Sequence, residues 1–186
     1  EEFGAKPLAN MAWAYATAEE DQPSLFHGIA ESAIGAKDDF TSQGVSNLLW
    51  AFSAAGYPDH HLFQSLTTAT SSVLQESGHQ SLANIAWAYA VANADDNMLF
   101  NEEFVSACVD KRHEFDYQGL RQLHQWNLWR KELKSDIVLP QDFGRRCYNE
   151  FINQSLIISN LQKEVTSVLH SVGQQSYNSY RSPSLD

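Results

Sequence analysis

Residues 82–90 read LANIAWAYA, and residues 8–16 read LANMAWAYA. Midway between them, residues 45–53 read VSNLLWAFS, so an apolar residue, an Asn and a Trp-Ala-aromatic triplet recur at a step of 37. Self-similarity at a fixed period of about 20–50 residues identifies an array of one supersecondary unit, stacked because no single unit buries its own apolar face. Trp13, Trp50 and Trp87 are each followed thirteen residues later by Phe26, Phe63 and Phe100, always preceded by Leu. The duplication therefore covers a two-part unit.

Each part predicts a helix. Leu8, Met11, Ala12 and Tyr15 follow the spacing of one helical face, and Trp13 and Ala16 lie on a neighbouring one. A helix apolar around most of its girth is buried on two sides, by its partner and by the next unit. Large aromatics at this spacing are expected in the core, so Trp13, Trp50 and Trp87 are assigned to packing. Alanine favours helix and lets backbones approach closely. The second helices are expected to start near Pro23, Pro58-Asp59 and Asp95-Asp96, since Pro suits a first turn and Asp caps its free amides. Their inward stripes are Phe26, Ile29, Ala30 and Ala33, then Phe63, Leu66, Thr67 and Thr70. Gly56 stands where a first helix should stop. No window alternates apolar and polar residues for long, which excludes a strand reading.

A degraded fourth copy follows at a step of 38. QGLRQLHQW at 118–126 aligns with QGVSNLLW at 43–50, placing Gln122 on Asn47 and Gln125 on Trp50. Pro140, Phe143, Cys147, Tyr148 and Phe151 mark its second helix. SNLQKEVTSVLHSVG at 159–173 has capping-box spacing between Ser159 and Gln162 and an apolar stripe, so it reads as one more helix. The expected fold is all-α, an α-solenoid of helical hairpins with a 37–38-residue repeat. Three hairpins occupy 5–115, the degenerate fourth 116–155, and a C-terminal helix 156–173. Residues 174–186 are a polar linker or the start of a further domain.

Charge divides along the same lines. Residues 1–110 hold two basic groups, Lys6 and Lys37, against fifteen acidic ones, a net of −13, whereas 111–186 carry a net of +2. Affinity for a phosphate backbone rests on Lys and Arg displacing counterions, so the first three copies are not expected to grip nucleic acid electrostatically. No apolar run approaches the ~20 residues of a membrane span, so no membrane insertion is expected. The opening EEFGAKP suggests a segment of something longer, with any targeting peptide outside it. Cys108 and Cys147 read as reduced thiols in helices.

The N-x-x-W-A-[YF] helices at 37–38 spacing resemble the octotricopeptide-type repeats of organellar proteins. The stretch LRQLHQWNLW…LPQDFGRRCYNEF…SNLQKEVTSVLHSVG resembles the segment preceding a RAP domain in such proteins, a layout related to that of the FAST-kinase-like proteins. The resemblance runs from about residue 5 to 173. It implies an α-solenoid working in plastid or mitochondrial RNA metabolism, with a RAP domain downstream that SPSLD at 182–186 would begin. Its implied partner is single-stranded organellar RNA. The alternative is a protein–protein scaffold, a peripheral soluble subunit of a large complex such as a photosystem or mitochondrial ribosome, which the −13 segment favours.

Two residue sets are candidates for binding. Asn10, Asn47, Asn84 and, in the fourth copy, Gln122 form a row of amides that either reads bases one per repeat or bonds between stacked repeats to fix their register. Arg121, Trp126, Trp129, Arg130, Lys131, Lys134, Arg145 and Arg146 form the basic, aromatic-interleaved region, where planes stack on unpaired bases and charges hold phosphates. The competing reading is a solvated face paired with Glu132, Asp136, Asp142 and Glu150. Cys108, His113, His124 and Cys147 are too widely spaced for a tetrahedral zinc signature, so no metal site is expected. No nucleophile elbow, phosphate loop or zincin motif occurs, and neither enzymatic activity, nor a cofactor, nor a small-molecule substrate is expected.

Overall fold

The computed structural model describes residues 3–155 and 167–168, with side chains to 153 and at 167–168. The described residues form eight α-helices and one short 3-10 helix, with no strand among them: α1 (Ala5–Thr17), α2 (Pro23–Gly35), η1 (Lys37–Asp39), α3 (Ser42–Ala54), α4 (His60–Ser72), α5 (His79–Ala92), α6 (Glu102–Asp110), α7 (Tyr117–Glu132) and α8 (Gln141–Ser155). The fold is all-α. The chain divides after Phe151 into two units, the second represented by the end of α8 and by 167–168. The helix expected over 156–173, apart from 167–168, and the tail at 174–186 lie outside the described residues.

Local chemistry sets the helix ends. Pro23 opens α2, where its missing amide hydrogen is no loss. Asp59 caps α4 by accepting from the Leu62 amide at 3.0 Å, Thr41 caps α3 through Gly44 at 3.1 Å, and Asp116 caps α7 through Gly119 at 2.8 Å. Gly56 (φ 77°) takes the left-handed conformation just beyond α3, which glycine adopts without a Cβ penalty. One start differs from expectation. Asp96 accepts from the Met98 amide at 2.8 Å and so closes a turn, and α6 begins only after Asn101, whose side chain caps Glu103 and Phe104. Phe100 is held in that turn by the rings of Tyr89, Phe104, Trp126 and Trp129, at 5.0–6.0 Å.

The first helices of the copies, α1, α3, α5 and α7, pack side by side in that order, each beside the next. The second helices cover one side of this layer, burying Phe26, Ile29, Ala30 and Ala33 from α2 and Phe63, Leu66, Thr67 and Thr70 from α4, the stripes the sequence predicts. Small residues line the helix–helix flanks. Ala9, Ala12 and Ala16 of α1 and Ala51 of α3 are all buried. Between α3 and α5 the flank carries serines: Ser42 and Ser77 bond at 2.8 Å, Ser46 donates to Ser81 at 3.2 Å, and Ser53 donates to the Ala88 carbonyl at 2.9 Å. Each net contribution is about 1 kcal/mol, but leaving such a buried hydroxyl unpaired costs more, so these bonds fix the register of the two helices.

Candidate functional site

The layer of first helices turns its remaining face to solvent. In α1 that face carries Lys6, Asn10, Trp13 and Thr17, residues close to one helical turn apart. Trp13 is 47% exposed, and Trp50 and Trp87 are half-buried with ring centroids 6.2 Å apart. This corrects the expectation that all three indoles are core. Both flanks and the inner side of each helix are filled by Ala, Leu, Val and small polar residues, and the Trp position falls on the side left over. Apolar residues around most of the girth mask this, although the polar Lys6, Asn10 and Thr17, about a turn apart, share the side of Trp13.

The amide row runs from exposed to buried along the layer. Asn10 is exposed, Asn47 half-buried, and Asn84 and Gln122 are buried. Gln122 donates to the Asn84 carboxamide oxygen at 3.0 Å, so between α5 and α7 the pair fixes register. One turn along, the Trp87 indole donates to the Gln125 side chain at 2.7 Å. Three further amides stand on this face at the position of Lys6: Gln43, Gln80 and Gln118, all exposed. They keep the repeat's steps, 37 from Gln43 to Gln80 and 38 to Gln118, a signal present in the sequence but absent from the candidates drawn from it.

The electrostatics of this face differ from those of the whole segment. No carboxylate lies in α1, α3 or α5, and α7 holds one, Glu132, in its last turn. Among the described residues to 110 the acidic side chains sit in the connections, η1 included, and in α2 and α6; further on, α8 carries Asp142 and Glu150. A net charge of −13 over 110 residues thus coexists with a face of amides and indoles that is locally uncharged, bounded by Lys6 and Arg121.

The basic set does not form one patch. Trp126 and Trp129 are buried against Phe100 and Phe104, and Arg130 is 1% exposed. The Arg130 guanidinium pairs with Asp95, meets the Ser135 hydroxyl and the Ile137 carbonyl, and lies 5.7 Å over the Phe100 ring. Arg121 pairs with Glu150 at 3.5 Å and lies 4.9 Å over Tyr117. Arg146 donates to the Arg112 carbonyl in the connection before α7, while Lys131 and Lys134 are exposed at that helix's opposite end. Arg145 is exposed on α8.

Cys108 and Cys147 are buried and unpaired. Burial pushes the Cys147 thiol up to about 12 and raises Cys108 further, with Cys147 adding to the effect, so both are protonated and unreactive at neutral pH. His124 is wedged against Tyr148 and Phe151, at 5.5 and 4.8 Å, and burial followed by the charge of Lys131 lowers its pKa. His113 is exposed. Among the described residues, no three His, Cys, Asp or Glu side chains gather where they could hold a metal ion, and no helix is long and apolar enough to cross a membrane.

No protein-family model matches the chain, and no curated protein matches it.

Proposed function

We propose that the described helices are an α-solenoid of 37–38-residue hairpins whose first-helix face binds single-stranded RNA without catalysing a reaction. The observation that carries this reading is the neutral face itself. It presents Lys6, Gln43, Gln80 and Gln118, then Asn10 and Asn47, then Trp13, Trp50 and Trp87, in rows across adjacent helices. Carboxamides offer paired donors and acceptors to base edges, and indoles offer planes on which unpaired bases stack. The octotricopeptide-type resemblance supports the same reading and implies an organellar transcript in plastid or mitochondrion. Contact is assigned to the indole–amide face and not to the basic set of α7 and α8, because Trp126, Trp129 and Arg130 are occupied in the core.

The test is a titration of the protein with a single-stranded RNA of mixed sequence, read by quenching of tryptophan fluorescence. Stacking contributes about 1–3 kcal/mol per base by alanine substitution, so Trp50→Ala and Trp13→Ala should each weaken binding about tenfold while leaving helix content unchanged. Absence of quenching, or variants that bind like the parent, would count against the face. A protein scaffold is the second reading, favoured by the acidic connections at the ends of α1 and α5.

A further inference from the structure

The amide row is split by what its members already bond to. Asn84 and Gln122 are buried and bonded to each other, and the Trp87 indole N–H is taken by Gln125. In the first two copies the same groups are unspent. The Asn10 and Asn47 side chains make no hydrogen bond among the described residues, and neither do the indole N–H groups of Trp13 and Trp50. Asn10 stands three residues before Trp13 and Asn47 three before Trp50, so each free carboxamide lies about one helical turn from an indole on the same face.

The charges around each pair limit what it can recognise. α3 carries no ionisable side chain, and the one charged side chain of α1 is Lys6. A carboxamide sets a donor beside an acceptor and so meets the amino group and N7 of adenine with two bonds. The same edge of guanine presents two acceptors, which call for Arg or Lys, and the amino group of cytosine is met by Asp or Glu. α3 offers neither kind of side chain. Uracil also carries a donor beside an acceptor, but it lays one ring and not two on the indole, and preference among single strands follows stacking strength. Lys6 precedes Asn10 by about a turn, whereas Gln43 holds that place before Asn47, which makes Asn47 the stricter of the two.

We infer that Asn10 and Asn47 read adenine in bases stacked on Trp13 and Trp50, so that the RNA held by this face is adenine-rich where α1 and α3 meet it. This assignment, which rests on RNA binding by the same face, gives that face a base identity and a division of labour. The copies of α1 and α3 discriminate among bases. In α5 and α7 the equivalent amides are bonded to each other and hold the spacing of the helices instead. A wrong base leaves the donor or the acceptor of the carboxamide unpaired beside an indole that excludes water, and the discrimination arises there.

The experiment titrates the full 186-residue protein with single strands of about eight nucleotides and reads quenching of tryptophan fluorescence. The strands are oligoadenylate, oligouridylate, oligocytidylate, and oligouridylates with adenine or guanine at every third position. Oligoadenylate should bind at least about fivefold tighter than oligouridylate or oligocytidylate, and the adenine-bearing oligouridylate at least about twofold tighter than its guanine counterpart. Asn47→Leu should lower the ratio of oligoadenylate to oligouridylate affinity at least about threefold, beyond what stacking alone sustains. Asn84→Leu together with Gln122→Leu, an exchange within the register pair, should leave that ratio as it is in the parent. Equal affinity for all strands, or a ratio indifferent to Asn47→Leu, would overturn the base assignment and leave RNA binding standing. Quenching by none of the strands would overturn RNA binding at this face and the assignment with it.

Discussion

Arg130 gives the sharpest test of how α5 and α7 are held together. It is 1% exposed, its guanidinium pairs with Asp95 and meets Ser135, and it lies 5.7 Å from Phe100 and 5.8 Å from Trp129. A hydrogen bond to a charged group contributes about 1.5–3 kcal/mol, and a desolvated cation–π contact about 1–2 kcal/mol. Against this stands the side-chain exposure of Asp95, 39%, which lets its carboxylate rehydrate once abandoned. The loss therefore falls near the bottom of the ~3–5 kcal/mol seen when a fully buried pair is broken. Arg130→Ala should cost about 3 kcal/mol, and Arg130→Met, which keeps the apolar stem, about 2 kcal/mol. Urea unfolding followed by circular dichroism measures this. With a slope near 2 kcal/mol/M, the alanine variant's midpoint falls by about 1.5 M. A cycle of Arg130→Met and Asp95→Asn should return a coupling of at least about 1 kcal/mol. If Arg130→Met unfolds within about 0.5 kcal/mol of the parent, the lock between the third and fourth copies does not exist.

Three further outcomes follow from other contacts. Gln122→Leu leaves the buried Asn84 oxygen unpaired and should cost about 1–3 kcal/mol, whereas Asn84→Leu together with Gln122→Leu should recover most of it in the same unfolding assay. Tyr89 is buried, donates to the Phe63 carbonyl at 3.1 Å, and has its pKa pushed up to about 12, chiefly by burial. Its unfolded-state pKa is near 10, so stability is intact below pH 10 and declines by up to about 2.7 kcal/mol as pH rises to 12; Tyr89→Phe should flatten this limb. His124 titrates below its ordinary value, so the unfolded chain takes up a proton first as pH falls below about 6.5. Stability should therefore decline there, and His124→Gln should remove that part of the acid limb without altering stability's dependence on pH above 7.5.

How far the sequence discloses this fold depends on which residues are asked. The stripes of α2 and α4 were legible in full, because those helices bury one face and the 3.6-residue period names it. The first helices were legible as helices but not in orientation. Leu, Ala, Trp and Tyr around most of the girth mask the local signal, the polar stripe of Lys6, Asn10 and Thr17 a turn apart, that puts Trp13 outside and Ala12 inside. The start of α6 was misread because Asp96 is a good cap, and the aromatic cluster that holds Phe100 in a turn is non-local. Proximity along the chain also suggested one basic surface over 121–146. Arg130 is instead drawn inward by Asp95, a partner 35 residues away. The uncharged face was hidden for the opposite reason. Net charge averages over a segment, while the carboxylates are segregated into the connections and the second helices α2, α6 and α8, with one at the end of α7.

The salt dependence of RNA binding tests the central claim most directly. For single strands, log K falls with log salt at about −0.7 per phosphate neutralised. The indole–amide face is bounded by two cationic residues, Lys6 and Arg121, and the latter is already paired with Glu150. Binding there should therefore show a slope between about −0.7 and −1.4, and should weaken about tenfold in Trp50→Ala but be kept when Lys131, Lys134, Arg145 and Arg146 are changed together to Gln. A slope of about −3 that the four-residue change abolishes would return binding to the basic residues of α7 and α8. No binding at low salt would contradict the RNA reading altogether.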